Sequence, residues 1–306
     1  LYDDNVLESS WGFKLDRMGA DGTFSYSVEP EYANRPIVKV SFWDACRFAN
    51  WLHNGQGDGD TETGAYTLGG TTDADDGNIH RNSGAEWFLP SENEWYKAAY
   101  YDASKLNGAG YWSFPTGSDL APDRDNQGSN SANNNTGILL SPVTTVVGAF
   151  ANSSSRYGTF DQGGNVLEWT ESLEWAENQW NRSQRGGSFL FGPEDGSGGS
   201  RTLAASKSSE RTVGFRVAAG FVDEQGKRSI AAGDQRRPVV VVKKDLWARP
   251  SELRKKKLIG TGQGSLHQVT PAFLANHPDF CSTFPFDGLG VIAPLDADWR
   301  KQNGLV

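Results

Sequence analysis

Cysteine is scarce in this 306-residue chain. Only Cys46 and Cys281 occur, so no disulfide framework holds it, and one bridge is the most the pair could form. Histidine is scarce too: His53, His80, His267 and His277 lack the close spacing expected of an iron facial triad. Long apolar runs are missing. A stretch such as Val239 to Val242 falls far short of the roughly 18 residues a membrane helix needs, so a helical span is excluded. What is abundant points to a packed protein. Eleven tryptophans and sixteen phenylalanines supply the large apolar side chains that disordered chains avoid. The length allows one large domain or two modest ones, each with a real core. The chain opens on Leu1 with no signal-like segment and is expected to be a processed or truncated product.

Positive charge is sparse over residues 1–220, where 16 Lys/Arg face 29 Asp/Glu for a net −13; residues 221–306 carry 13 against 9, a net +4. An acidic body does not invite nucleic acid, whose phosphates need clustered cations. The basic run Lys243 to Lys257 reads as a solvated or partner-facing charge run. The charge change divides the chain into a body, 1–220, and an extended basic C-terminal arm, 221–306.

Within the body the patterning predicts two short helices among much loop and strand. Ser41 can cap the first, with Asp44 favoured by the dipole at its start. Phe42, Ala45, Cys46, Ala49 and Leu52 then recur at helical spacing as one buried stripe, and Asn54-Gly55 ends it. Cys46 on that stripe is a small core residue rather than a nucleophile. The second helix begins at a capping box, Ser91 with Glu94, and buries Trp95, Ala98 and Ala99. Gly55 to Gly84 and Ser118 to Gly137 have loop composition, and loops this long usually carry function or ions. Short strands follow: Pro142 to Phe150 alternates loosely, and Val166 to Trp169 and Gly214 to Ala218 are two more. The fold class expected is α+β, with long ordered loops.

Five segments occur in fixed order: Pro36-Ile37-Val38-Lys39-Val40-Ser41-Phe42-Trp43-Asp44-Ala45, Phe88-Leu89-Pro90-Ser91-Glu92-Asn93-Glu94-Trp95, Gly163-Gly164-Asn165-Val166-Leu167-Glu168-Trp169-Thr170, Arg185-Gly186-Gly187-Ser188-Phe189 and Gly214-Phe215-Arg216-Val217-Ala218. Over about residues 20–220 the series resembles the sulfatase-modifying-factor family, the formylglycine-generating enzyme and its relatives. The resemblance implies a C-type-lectin-like fold. Arg47 to Gly55 and Trp95 to Tyr101 look most like bacterial secreted members, which implies a periplasmic or extracellular location. Two departures stand out. The family's opening hairpin and helix, with a Glu-Val-Thr signature, are missing ahead of these segments. Its enzymes also place a reactive cysteine pair between the Arg-Gly-Gly-Ser and Gly-Phe-Arg motifs, and here Phe189 to Val213 contains none. Copper-thiolate oxygen chemistry needs those sulfurs, so no copper is expected and an oxidase is the lesser reading.

The best candidate for a metal site is Asp161-Gln162-Gly163-Gly164-Asn165-Val166-Leu167-Glu168. Calcium takes six to eight hard oxygens. Here a carboxylate enters a Gly-Gly turn, and Val166 and Glu168 share one side of the strand that follows. The resemblance implies calcium at Asp161, Gly164, Val166 and Glu168, the middle two through backbone oxygen, and a second ion near Asn133 and Asn134. Without an ion, Asp161 closes a turn and Glu168 pairs with an arginine such as Arg216. Arg185 and Arg216 are expected to be scaffolding, paired with buried carboxylates or carbonyls.

Phe189 to Arg211 occupies the position of the family's ligand-facing surface. Aromatic anchors among adaptable polar residues suit recognition of a glycan or peptide, with Phe189, Phe191, Arg201, Lys207 and Arg211 as candidates. The arm matches no motif. Arg237 to Lys244 reads as a strand with charged ends, Pro250 to Leu253 as a helical start. The arm is expected to pack on a partner subunit or on the body where the opening hairpin is missing. The functional expectation is a non-catalytic, calcium-supported, lectin-like scaffold within a larger extracytoplasmic assembly, joined through that arm; the alternative is an oxidase acting on a protein or small thiol.

Overall fold

A computed structural model describes residues 15–135, save 21–22, 58, 74, 76, 107 and 126, together with 144–219 and 267–268. The strand expected at Arg237 to Lys244 and the helical start at Pro250 lie outside the described residues.

Both predicted helices form where their caps place them. Helix α1, Phe42–His53, starts on Ser41, whose hydroxyl accepts from the Asp44 N–H while the Asp44 carboxylate accepts from the Ser41 N–H. Helix α2, Glu92–Tyr100, repeats the arrangement with Ser91 and Glu94. Each box satisfies donors that a helix start leaves orphaned. The burial of α1 goes further than one stripe: Asp44, Arg47 and Asn50 are also buried. The Gly55–Gly84 loop folds over the polar face and supplies partners. Arg47 pairs with Glu62 at 2.6 Å, and the Asn50 amide bonds to the Thr61 and Tyr66 carbonyls and accepts from the Tyr66 N–H. Polar groups can be buried when hydrogen-bonded, so an apolar stripe understates what this helix covers.

Among the described residues ten strands accompany the helices. Strands β1, Leu15–Met18, and β2, Ser25–Val28, form a hairpin, as do β4, Tyr101–Asp102, and β5, Gly110–Tyr111. The main sheet runs β10-β9-β6-β7-β8, with β6 Leu167–Ala176, β7 Gln179–Arg185, β8 Thr202–Ala204, β9 Val213–Ala219 and β10 His267–Gln268; β3, Trp87–Phe88, also pairs with β9. Among the described strands of this sheet β6 and β9 run parallel, and the other pairings are antiparallel. Phe42, Phe48, Trp43, Trp95, Trp169 and Phe215 are among the large rings of the core that α1, α2 and this sheet share. Residues 144–150 form no strand. Their backbone instead bonds irregularly, Val147 N–H to the Asn34 carbonyl and Thr145 N–H to the Asn165 side chain. Among the described residues no helix is long and apolar enough to cross a membrane.

Candidate functional site

The turn at residues 161–165 is built by backbone that only some residues tolerate. Asp161, Gly164 and Asn165 all have positive φ, at 57°, 81° and 63°, and Asp and Asn are among the few non-glycine residues that accept this. Any side chain on Gly164 would collide with the Asn133 carbonyl. The neighbouring Arg185-Gly186-Gly187 corner is equally tight: a Cβ on Gly187 would meet backbone of Asp195 and Gly196 at 2.9 Å. Gly164 N–H donates to the Gly186 carbonyl at 2.7 Å, and Phe189 N–H to the Asn165 carbonyl at 2.9 Å. Four chain segments thus meet backbone to backbone along a glycine seam. Every motif glycine here has a steric reason.

Glu168 leaves this turn on β6 and is fully buried. Arg216 of β9 donates to both its carboxylate oxygens through Nε and Nη2, and Trp95 Nε1 adds a third bond at 2.7 Å. The same guanidinium reaches the Phe160 carbonyl at 3.2 Å. Asp161 accepts from the Gly148 N–H at 2.6 Å; burial pushes its carboxyl up to about 6, against smaller lowering effects of that bond and of Arg216, with Glu168 raising it further. Of the four residues expected to hold calcium, Glu168 thus has its carboxylate engaged by Arg216. The carboxylate that would bind the ion faces a guanidinium, and positive charge is already present between Glu168 and the Phe160 carbonyl.

Asn133 and Asn134 are better suited. Both are buried. Asn134 Nδ2 donates to the Pro122 carbonyl at 3.1 Å, while its Oδ1 is buried without a hydrogen-bond partner. Such an acceptor is costly unless a donor or cation meets it. Among the described residues, however, no three His, Cys, Asp or Glu side chains group as a metal site, so an ion there would rest on neutral oxygens. No local sequence signal marks Asn134 as the orphan. Its neighbours in the Asn run look the same.

The structure separates the five candidate ligand residues. Phe189 is fully buried under the seam, and this corrects its placement on a ligand-facing surface: as an aromatic ring it serves the core instead. Phe191 is 43 % exposed, on a loop latched by Asn135, whose N–H and Nδ2 donate to the Phe191 and Leu190 carbonyls. Arg201 bridges Glu92 and Glu174. Lys207 and Arg211 are exposed on a stretch stitched to the start of α1, where Phe42 N–H donates to the Ser206 carbonyl. Arg185 lies beside Glu92, donates to the Gly198 and Ser200 carbonyls, and stacks over Tyr96 at 5.0 Å. It fixes the loop rather than presenting charge.

A feature the sequence reading passed over abuts this loop. Tyr96, Tyr101 and Tyr111 form a chain of ring contacts, each pair about 5.2 Å between centroids, and Tyr111 is 48 % exposed. Gly198 lies directly beneath Tyr96, where a Cβ would come within 3.0 Å of its hydroxyl, and Gly198 N–H donates to the Ser113 carbonyl. Part of the signal was available in Trp95 to Tyr101, yet the helical spacing was read for Trp95, Ala98 and Ala99 alone.

The sole cysteine among the described residues, Cys46, is buried within α1, and burial raises its thiol well above the ordinary value. It stays protonated and enclosed, a state that suits packing and not nucleophilic or redox work.

Several solved structures are similar to this chain, among them the following three. One described as the crystal structure of CarF is 23 % identical, covering 62 % of this chain and 69 % of that one, with a TM-score of 0.43. Treponema denticola variable protein 1 is 18 % identical over 65 % and 74 %, TM-score 0.43. PvdO from Pseudomonas aeruginosa is 20 % identical over 66 % and 67 %, TM-score 0.40. No curated protein matches the chain. A family model described as the sulfatase-modifying factor enzyme 1-like domain matches residues 12–220. That match takes in all five ordered motifs, the glycine seam and strands β6 to β9 around it, and by it this chain belongs to the sulfatase-modifying factor family.

Proposed function

We propose that this chain is a non-catalytic member of its family, a lectin-like scaffold that binds a glycan or peptide. The observation that carries the reading is the chemistry of sulfur. Phe189 to Val213 contains no cysteine, and the thiol at Cys46 is shut inside a helix core. A thiolate oxidase needs an exposed, activated sulfur. The binding surface in this reading is the exposed tyrosine chain with the Gly198-Gly199 backbone and Phe191 beside it. Tyrosine offers large, stiff contact area at small entropic cost.

The proposal further places the protein in the periplasm or outside the cell, as one subunit of a larger assembly joined through its C-terminal arm. The likeness of its helix segments to bacterial secreted members supports the location, and the net positive charge of the arm, suited to an acidic partner surface, supports the attachment. Calcium enters as structural support near Asn133 and Asn134, where the Asn134 acceptor lacks a donor, and takes no part in chemistry. Oxygen uptake separates this reading from an oxidase. With copper and a cysteine-containing peptide, the full-length chain is expected to consume oxygen no faster than copper and peptide alone. Uptake that depends on the protein and vanishes in Cys281→Ser would establish the oxidase instead.

A further inference from the structure

A line of oxidisable rings runs from the core of the protein to its surface. It begins at Trp95, which is fully buried and donates from Nε1 to the Glu168 carboxylate at 2.7 Å. Trp95 meets Tyr100 at 5.9 Å between ring centroids, and Tyr100 meets Tyr96 at 4.7 Å. Tyr96 then meets Tyr111 at 5.2 Å, and Tyr111 meets Tyr101 at 5.2 Å. Helix α2 sets the inner part, because Tyr96 and Tyr100 stand four residues apart and so share a face. The β4–β5 hairpin sets the outer part, with Tyr101 directly opposite Tyr111. Packing accounts for ring pairs at these separations. It does not require that every ring from core to solvent carry an indole or a phenol. Along this line none is phenylalanine, although the chain has sixteen phenylalanines and only nine tyrosines.

We propose that these rings drain oxidation from the core to Tyr111, which is the site where it ends as a covalent tyrosine–tyrosine bond. Indole and phenol are, thiols apart, among the side chains a one-electron oxidant attacks most readily. When such an oxidant takes an electron from Trp95, the N–H stays shared with the Glu168 carboxylate, so no proton has to leave the core. An electron passed inward from ring to ring refills the indole, and Tyr111 is left one electron short. The radical does not settle midway. The Tyr100 hydroxyl donates to the Gly196 carbonyl at 3.0 Å, a neutral acceptor that cannot keep a proton. Tyr111 is 48 % exposed, the most open ring of the line, and releases its phenol proton to water. Two such radicals on separate molecules join through a ring carbon–carbon bond, and the hydrogen on each joined carbon shifts to its phenol oxygen. The oxidant carries off the electrons, and no sulfur takes part.

Photo-oxidation of the full-length chain tests this. Light in the tryptophan absorption band ejects electrons from buried and exposed indoles alike, a cobalt(III) ammine accepts them, and peptide mapping locates the products. The parent chain is expected to form a covalent dimer joined at Tyr111, with little hydroxylated or ring-opened Trp95. Trp169 is the internal reference: it is equally buried, but its ring meets Phe42 and its Nε1 donates to the neutral Val40 carbonyl. Tyr96→Phe keeps the ring packing and removes the oxidisable link. In that variant Trp95 products should rise severalfold relative to those at Trp169, and the Tyr111 dimer should fall by more than half. Equal Trp95 damage in the two chains would overturn the proposal. So would an unchanged dimer yield, since direct attack on the exposed ring would then explain it. Tyr111→Phe, at a position open to solvent, provides a second check with the interior untouched. It should abolish the dimer, and a dimer that persists through another tyrosine would remove Tyr111 as the outlet. None of these readouts uses a bound ligand or oxygen uptake with a thiol peptide, so they stand or fall apart from the functional proposal.

Discussion

Glu168 shows how one residue can serve a frame in place of a ligand. Its carboxylate is enclosed and answered by Arg216 and Trp95. Removing one member of a buried pair leaves the other uncompensated, which costs about 3–5 kcal/mol. Glu168→Gln is accordingly expected to lower the thermal unfolding midpoint sharply, and Glu168→Gln with Arg216→Met to recover part of the loss. Asp161 behaves differently. With its carboxyl raised from 3.8 to about 6 by burial, the folded state keeps a proton that the unfolded chain has already released. Its stabilising contribution is complete below 3.8 and is lost as pH climbs through about 6. Asp161→Asn, which keeps an acceptor for Gly148 and tolerates positive φ, should be more stabilising at pH 7.5 than at pH 4.5 in calcium-free buffer. Equal effects at both pH values would contradict this. At Asn134 the expectation concerns calcium. Millimolar calcium should raise the unfolding midpoint by a few degrees through mass action, and Asn134→Ala should abolish the increment.

Among the elements, the two helices were readable because their signals are local. Ser41 with Asp44 and Ser91 with Glu94 fix each start within four residues. Strand β7 was not readable, and the reason is physical. Asn181, Arg182, Ser183, Gln184 and Arg185 look like a surface segment yet are at most 5 % exposed. Their partners lie far away in sequence: Arg182 pairs with Asp75 and donates to the Glu171 and Ile79 carbonyls. Hydropathy patterns cannot report burial that rests on distant hydrogen bonds. The Phe189 expectation failed for a related reason, since position in a segment says nothing of which way a ring turns. The hairpin between β6 and β7 holds a correctable strain. Glu177 and Asn178 both have positive φ, 53° and 60°, the geometry of a two-residue turn that favours Asn and Gly. Glutamate is ill suited to the first position. Glu177→Asn should stabilise the chain by about 0.5–1 kcal/mol, measured by chemical denaturation, and leave the fold unchanged.

For the molecule as a whole, the order of motifs gave the family before any coordinate did, because five short segments in sequence constrain a fold more tightly than any one of them. What the order could not give is which motif residues face outward. The seam of Gly164, Gly186, Gly187 and Gly196 decides that. It brings four segments together with no room for a Cβ between them, so that Gly164→Ala is expected to cost more than about 2 kcal/mol through left-handed strain and overpacking. A Cβ added at Gly199, by contrast, would meet nothing within 4 Å. Change along the seam is punished, whereas a side chain at Gly199 points into open space. A single position between two anchored neighbours, Gly198 and Ser200, which Arg185 holds by their carbonyls, can thus vary its side chain on an unaltered chassis.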